Sequence, residues 1–447
     1  MPVSPGKGGG SPSRLDAQLD LIFNGVQGVE PGLPGAEAHP AEWSKQGDVD
    51  YLYRAGIVLT PDADADRVSG FLHAAPVDHD KNIRGLTLLE LPQGASVEDA
   101  CARSDQHFGE GVVTPDHIFY LTTTTACAAT EPEEVPPGAV PDPGVSTESC
   151  DGHGVEIAVL DSGLLHGATA QHSWLAGVTG QYEDVLIGSP PRIPGYVGHG
   201  TFVSGVAAAM APKASIWAAR TFCLIGAKYE SDLVMDAVAA LRQGVEIISL
   251  AFGTNTRKDI PSLGFEIVGE QLKNYPGVVL VAAAGNGSSK RMFWPAAFGW
   301  TLSVGALAAN WRSRASFTNY GPWVDVYAPG EGLINAYAVG QYTCTEPPNI
   351  GQVRNFDGMA RWSGTSFSTP LVAGLIAARM SGTGETAPQA AASLLALART
   401  QATPGVGPVL LPGQACSDHG DQGPRSHGPR SHGRRGGSGG CCCGCRD

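Results

Sequence analysis

From residue 153 to about 405, short apolar runs alternate with segments of helical period. The runs at 155–160 (VEIAVL), 214–219, 245–250 and 277–283 are largely apolar rather than strictly alternating, which predicts strands covered on both faces. Between them, Leu233, Val234, Ala237, Val238 and Leu241 share one face of a helix predicted over 231–243, and further helices are predicted from His199 onward and over 263–274. Strands and helices in alternation imply an α/β domain built on a mostly parallel sheet, at 153–408.

An earlier stretch, 47–122, has a different rhythm. It predicts strands at 51–59, 84–91 and 112–121, and helices at 62–73 and 96–108, the second opened by Ser96 with Asp99 three residues on. This is a small α+β, ferredoxin-like layer domain. Residues 1–46 are rich in Gly and Pro with one apolar patch, Leu19 to Val26, and read as a disordered leader. Residues 123–152 hold five prolines and no hydrophobic period, which predicts an exposed, cleavable linker. The last segment, 409–447, repeats GPRSH and ends in GRRGGSGGCCCGCRD, a low-complexity composition that predicts a disordered tail.

Composition narrows the function classes. The chain has 447 residues, 60 Gly, 33 Pro and a net charge of −14. Its only concentrated basic stretch, Arg425 to Arg446, lies in the tail, so no nucleic-acid partner is expected. The longest uncharged run, Met292 to Trp311, is interrupted by Pro295, Gly299 and Asn310 and predicts turns and a strand, not a membrane span. The N-terminal MPVSPGKGGGSPSR lacks the apolar core of a secretory signal, which leaves the compartment open. Ten cysteines, five of them in the tail, show no regular spacing of a disulfide framework or zinc site.

Three segments set a reactive side chain beside glycine at the mouth of the predicted sheet. Strand 155–160 runs into Asp161-Ser162-Gly163, placing a carboxylate at a strand's carboxyl end, where sites form in open α/β sheets. Gly198-His199-Gly200-Thr201 opens a helix of small and apolar residues. Gly364-Thr365-Ser366-Phe367-Ser368 opens another, and a serine in a first turn lies in the helix's positive field. Strand 277–283 leads into Ala284-Gly285-Asn286-Gly287, where the Asn286 carboxamide is a donor suited to an oxyanion.

Asp161, His199 and Ser366 follow one another at gaps of 38 and 167 residues. Through DSG at 161, GHGTFVSG at 198 and GTSFSTPLVAG at 364, about 255 residues of this chain resemble the subtilisin-like serine peptidases. The resemblance implies a subtilisin-like three-layer fold and an Asp161-His199-Ser366 triad working through an acyl-enzyme, with Asn286 in the oxyanion hole. It further implies a substrate cleft walled by Ala251, Phe252 and Gly253 on one side and by Ala283, Ala284 and Gly285 on the other. Phe293, just before Trp294-Pro295, would make the primary pocket shallow.

The domain at 47–122, with LPQGASVEDA and TPDHIFYL, resembles an inhibitory propeptide, so the chain's own propeptide joins a peptide or protein substrate as a partner of a monomeric zymogen. Many family members carry a calcium-binding insertion after the histidine helix. Here AAAMAPKASIWAA runs straight from helix to strand, so calcium is not supported at that site though it stays possible elsewhere, and the implied mechanism needs no metal or organic cofactor. Two other readings remain: a maturation peptidase dedicated to one peptide partner, and a catalytically silent peptide-binding homologue.

Overall fold

Ile157 and Val159 point to one side of their strand and Ala158 and Leu160 to the other, and all four are buried. A strand with no solvent face needs a layer of helices on each side, and the computed structural model supplies both. It describes residues 14–25, 32–33, 36–40, 49–77, 83–121, 130–183 and 186–416.

Among the described residues the helices longer than one turn are α1 (Arg14–Asn24), α2 (Ala65–Leu72), α3 (Val97–Phe108), α4 (His199–Met210), α5 (Glu230–Arg242), α6 (Leu263–Leu272), α7 (Thr365–Thr383) and α8 (Ala387–Thr400). The strands that matter below begin with β1 (Val49–Pro61), β2 (Ala75–Pro76), β3 (Leu86–Glu90) and β4 (Thr114–Leu121). The next group is β5 (Glu156–Asp161), β6 (Val178–Gly180), β7 (Ser215–Arg220), β8 (Ala227–Tyr229), β9 (Ile247–Leu250) and β10 (Phe252–Gly253). The last are β11 (Val279–Ala283), β12 (Thr301–Leu307), β13 (Val326–Pro329), β14 (Leu333–Thr343) and β15 (Val353–Trp362).

The central sheet has the order β13-β12-β11-β9-β5-β7-β6, every pair parallel. Ile157 and Val159 pack with residues of α4, α7 and α8, while Ala158 and Leu160 pack with residues of α5 and α6, which makes three layers. Truncating Ile157 to Ala in such a core costs about 2–5 kcal/mol. Because β5 has β7 on one side and β9 on the other, the strand order reverses at its carboxyl end, the place where Asp161 sits.

The N-terminal domain runs β1-α2-β2-β3-α3-β4 with the antiparallel order β4-β1-β3-β2, a ferredoxin-like arrangement. Ser96 caps α3, its hydroxyl accepting from the Asp99 amide at 3.2 Å. The last strand does not stop at the domain edge. It runs between β8 and β10, antiparallel to both, with Tyr120 opposite Ala227 and Gly253 and with Leu121 opposite Phe252.

Buried polar groups join the two bodies. Asp116 of β4 caps α5, its carboxylate accepting from the Ser231 amide at 3.0 Å and hydroxyl at 2.9 Å. Glu230 caps α6, accepting from the Gly264 amide at 2.6 Å and the Ser262 hydroxyl at 2.7 Å. His117 lies between them: its Nε2 accepts from the Arg257 amide at 3.3 Å, so its Nδ1 carries the proton donated to Glu230 at 2.9 Å.

Several expectations are corrected. The leader is not wholly irregular, for Arg14–Asn24 is helical and Ile22 is fully buried among Leu52, Ile118 and Ile225. Residues 130–151 are no free linker. Glu133 pairs with Arg361 and Asp142 with Ile334, and the Glu131 carboxylate is buried, accepting from the Tyr342 hydroxyl at 3.0 Å. The tail also begins later than 409, since Leu410 is buried, its amide donates to the Tyr327 carbonyl, and Cys416 is bridged to Cys150. Residues 417–447, with the GPRSH repeat and the Cys441 to Cys445 cluster, lie outside the described residues, as do 1–13 and most of 26–48. The antiparallel pair β14–β15 was not predicted. Among the described residues no helix is long and apolar enough to cross a membrane.

Candidate active site

The chain turns sharply to deliver His199. Gly198 has φ +87°, and a Cβ there would fall 2.7 Å from the Tyr337 ring; at Gly200 it would fall 2.3 Å from the Gly163 carbonyl oxygen. Only glycine fits either position. Ser162, next to Asp161, closes the arrangement by accepting from the Gly200 amide at 2.9 Å. The result is a 2.7 Å hydrogen bond between His199 Nδ1 and Asp161 Oδ1, both side chains fully buried.

The His199 ring is held edge-on to Trp362, centroids 5.4 Å apart, and tilted against Phe367 at the same distance. Its Nε2 is buried and has no hydrogen-bond partner. With Nδ1 donating to Asp161, Nε2 presents a lone pair, the state a general base requires. Ser366, the second residue of α7, is fully buried and its hydroxyl donates to the Ala251 carbonyl at 3.4 Å. The serine thus rests on the end of β9 rather than on the imidazole, the loose geometry common where no substrate tightens a site.

Asn286 follows β11. Its Oδ1 accepts from the Thr365 amide at 2.9 Å and hydroxyl at 3.0 Å, which fixes the carboxamide and identifies Nδ2 as the outward donor. Nδ2 is buried without a partner. A buried donor left unpaired costs stability, about 1–3 kcal/mol, and such groups occur where a reacting atom is to be received.

Every residue singled out from the sequence lies at this edge of the sheet. Ala251 follows β9 and reaches Ser366, Gly253 lies in β10, and Ala283 ends β11 with Ala284 and Gly285 leading on to Asn286; all five are buried. Phe252 contributes differently from expectation: its backbone pairs with Leu121, while its ring faces the core beside Phe119, Phe222 and Phe265. No sequence motif marks Asn319, whose Nδ2 donates to the Ala284 carbonyl at 2.8 Å and whose Oδ1 accepts from the Gly287 and Ser289 amides. Thr365 lies inside the GTSFSTPLVAG motif, and its contact with Asn286 depends on a partner 79 positions away that the motif does not show. For calcium, the four residues between α4 and β7 offer only Lys213 as a charged group, ion-paired with Asp151 at 2.8 Å, so they do not fit a cation.

A buried Asp-His pair, a serine at a helix start and an orphaned carboxamide, all at the switch point of a parallel sheet, define the site class of a serine hydrolase. Residues 152–412 match the Subtilase family, more than half of the chain, and the protein belongs to that family of serine peptidases. It is 34% identical over 238 residues to the thermophilic serine proteinase of Bacillus sp. (strain AK1), covering 50% of this chain and 51% of that one. To thermitase of Thermoactinomyces vulgaris it is 32% identical over 239 residues, 50% of this chain and 74% of that one. The chain thus spans about half the length of the first of these relatives. Among solved structures it resembles fervidolysin from Fervidobacterium pennivorans, a keratinolytic enzyme related to subtilisin, with TM-score 0.54 and 18% identity over 81% of this chain and 61% of that one. At that identity the likeness establishes the fold, which is subtilisin-like.

Proposed function

We propose that the protein is a serine endopeptidase made as a self-processing zymogen. The observation that carries this reading is the pair of orphaned buried atoms, His199 Nε2 and Asn286 Nδ2, whose residues contact Phe367 and Thr365, the neighbours of Ser366 in sequence. Ser366 Oγ attacks the peptide carbonyl as its proton passes to His199 Nε2. Asp161 holds the imidazole by Nδ1 and stabilises the imidazolium. The tetrahedral oxyanion receives hydrogen bonds from Asn286 Nδ2 and the Ser366 amide. Collapse expels the amine, which takes the proton from His199, and water then hydrolyses the acyl-enzyme by the same route reversed. Each step uses side-chain or backbone groups named here.

The N-terminal domain fits the role of inhibitor. β4 lies between β8 and β10 as the middle strand of an antiparallel trio, the way an extended peptide binds by strand addition. In this reading the chain acts as a monomer whose first ligand is its own residues 118–121. The test is Ser366→Ala together with a serine-directed phosphonylating reagent. Labelling confined to Ser366 and loss of peptide hydrolysis in the variant are expected; labelling elsewhere, or hydrolysis by the variant, would overturn the assignment.

A further inference from the structure

The carbonyl attacked by Ser366 must lie between Ser366 Oγ and Asn286 Nδ2. Ser366 Oγ reaches the Ala251 carbonyl at the end of β9, and Asn286 follows the end of β11. On the cleft walls that the family resemblance implies, the side chain on the acyl side of the cut bond, P1, enters the slot between residues 251–253 and residues 283–285.

That slot is occupied. A Cβ on Gly253 would fall 2.3 Å from Phe293 Cε1, and one on Gly285 would fall 3.0 Å from Phe293 Cδ1. One ring thus touches both walls, and each wall is glycine where they meet. Phe293 is 3% exposed with the N-terminal domain in place, where Ile118 and Tyr120 share its apolar cluster. Its neighbour Trp294 exchanges both backbone hydrogen bonds with Thr254, at 2.9 and 2.8 Å, which ties the backbone at 293 to the Gly253 wall. Tyr120 meets the outer edge of the ring, centroids 6.1 Å apart and planes at 60°.

We propose, resting on the peptidase reading above, that Phe293 fills the P1 slot and restricts cleavage to bonds that follow a small side chain: Gly, Ala, Ser, Thr or Cys. A slot closed by a packed ring admits a methyl or hydroxymethyl group and turns away a branched or aromatic one, because overpacking strains both partners. The chain's own sequence agrees independently. Residues 122–130, TTTTACAAT, which follow the strand lodged in the cleft, contain only Thr, Ala and Cys. A purely structural role for Phe293, as one member of the apolar cluster with Ile118, Ala227 and Tyr229, predicts a loss of stability on truncation and no change of selectivity.

The experiment measures kcat/KM of the processed enzyme on two tetrapeptide p-nitroanilides that differ only in P1, Ala or Phe. Wild type is expected to prefer Ala by at least about 100-fold, and Phe293→Ala to lower that Ala-over-Phe ratio of kcat/KM by about 10- to 100-fold. Phe293→Leu, which keeps most of the volume, should retain the wild-type preference. Sequencing the cut sites that wild type makes in an unfolded protein tests the same point without a variant, and small residues should precede the cuts. A wild-type preference for P1-Phe, or cuts mainly after large residues, overturns this inference and leaves the peptidase reading intact. Hydrolysis of neither substrate, with no labelling of Ser366, overturns both.

Discussion

The Thr365 amide donates to Asn286 Oδ1 at 2.9 Å, so the residue just before the serine sets the direction in which Asn286 Nδ2 points. Nucleophile and oxyanion donor are thereby positioned by one short piece of backbone. Since Nδ2 has no ground-state partner, its hydrogen bond forms as the oxyanion forms. Asn286→Leu is expected to lower kcat by about 10²- to 10³-fold with KM nearly unchanged. Steady-state kinetics checks this, and a change confined to KM would make Asn286 a substrate-binding residue instead.

Much of this site is legible in the sequence because its local signals are strong. Strand 155–160 is observed at 156–161 and helix 231–243 at 230–242, each moved by one residue, since a strand buried on both faces and a helix with one apolar face leave clear patterns. The glycines at 198 and 200 reflect close approaches that no other residue permits. What was not legible depends on partners distant in sequence. Residues 130–151 look like a linker by composition, yet Trp362 Nε1 and Arg354 reach across more than 200 residues to the carbonyls of Thr130 and Pro132. In β15 a buried arginine interrupts the apolar alternation, which hides the strand. Asn319 holds the loop bearing Asn286 from 33 positions away.

Docking of the N-terminal domain is expected to weaken as pH rises from about 4 to about 7. Burial pushes the Asp116 carboxyl up to about 7, against hydrogen bonds from Ser231 and with Glu230 close by adding to the rise; Arg54 at 3.7 Å opposes it. A folded-state value above the ordinary 3.8 means that the docked state binds the proton more tightly. The stabilisation is thus complete below the ordinary value and lost as pH rises through about 7. The check is the melting temperature of the full-length Ser366→Ala protein from pH 5 to 8, with and without Asp116→Asn. The difference between the two proteins should depend on pH in this window, and a difference that stays constant would sink the assignment.

The Cys150–Cys416 bridge spans 266 positions and ties the start of the catalytic body to its end. It packs on α7, where a Cβ at Gly382 would fall 2.3 Å from Cys150 Sγ. Closing so long a loop restricts the unfolded chain, and removing the bridge typically costs about 2–4 kcal/mol. Cys416→Ser is expected to lower the melting temperature by roughly 4 to 16 °C while leaving kcat near wild type. An unchanged melting temperature would show that the bridge does not form in solution.

Self-processing is expected to cut between Leu121 and Glu131. On one side, β4 is paired through Leu121 and belongs to the N-terminal domain. On the other, Glu131 is buried under Tyr342 and Thr345, and Glu133 is paired with Arg361, so the chain from there on is bonded to the catalytic body. A cut beyond 131 would have to tear out those bonds, whereas one in TTTTACAAT leaves the pairing of β4 and the bonds of Glu131 and Glu133 in place. Strand addition also gives a direction, for β4 runs antiparallel to β10, so the residues after Leu121 proceed from Phe252 toward Ala251 and Ser366. Intact mass and N-terminal sequencing of the purified wild-type protein should find a new terminus among residues 123–131, with Ser366→Ala remaining full length. The released N-terminal fragment, left in the mixture, should suppress peptide hydrolysis until it is degraded. A wild-type chain that stays uncut and is fully active would assign the N-terminal domain another role and would leave the serine and its partners in place.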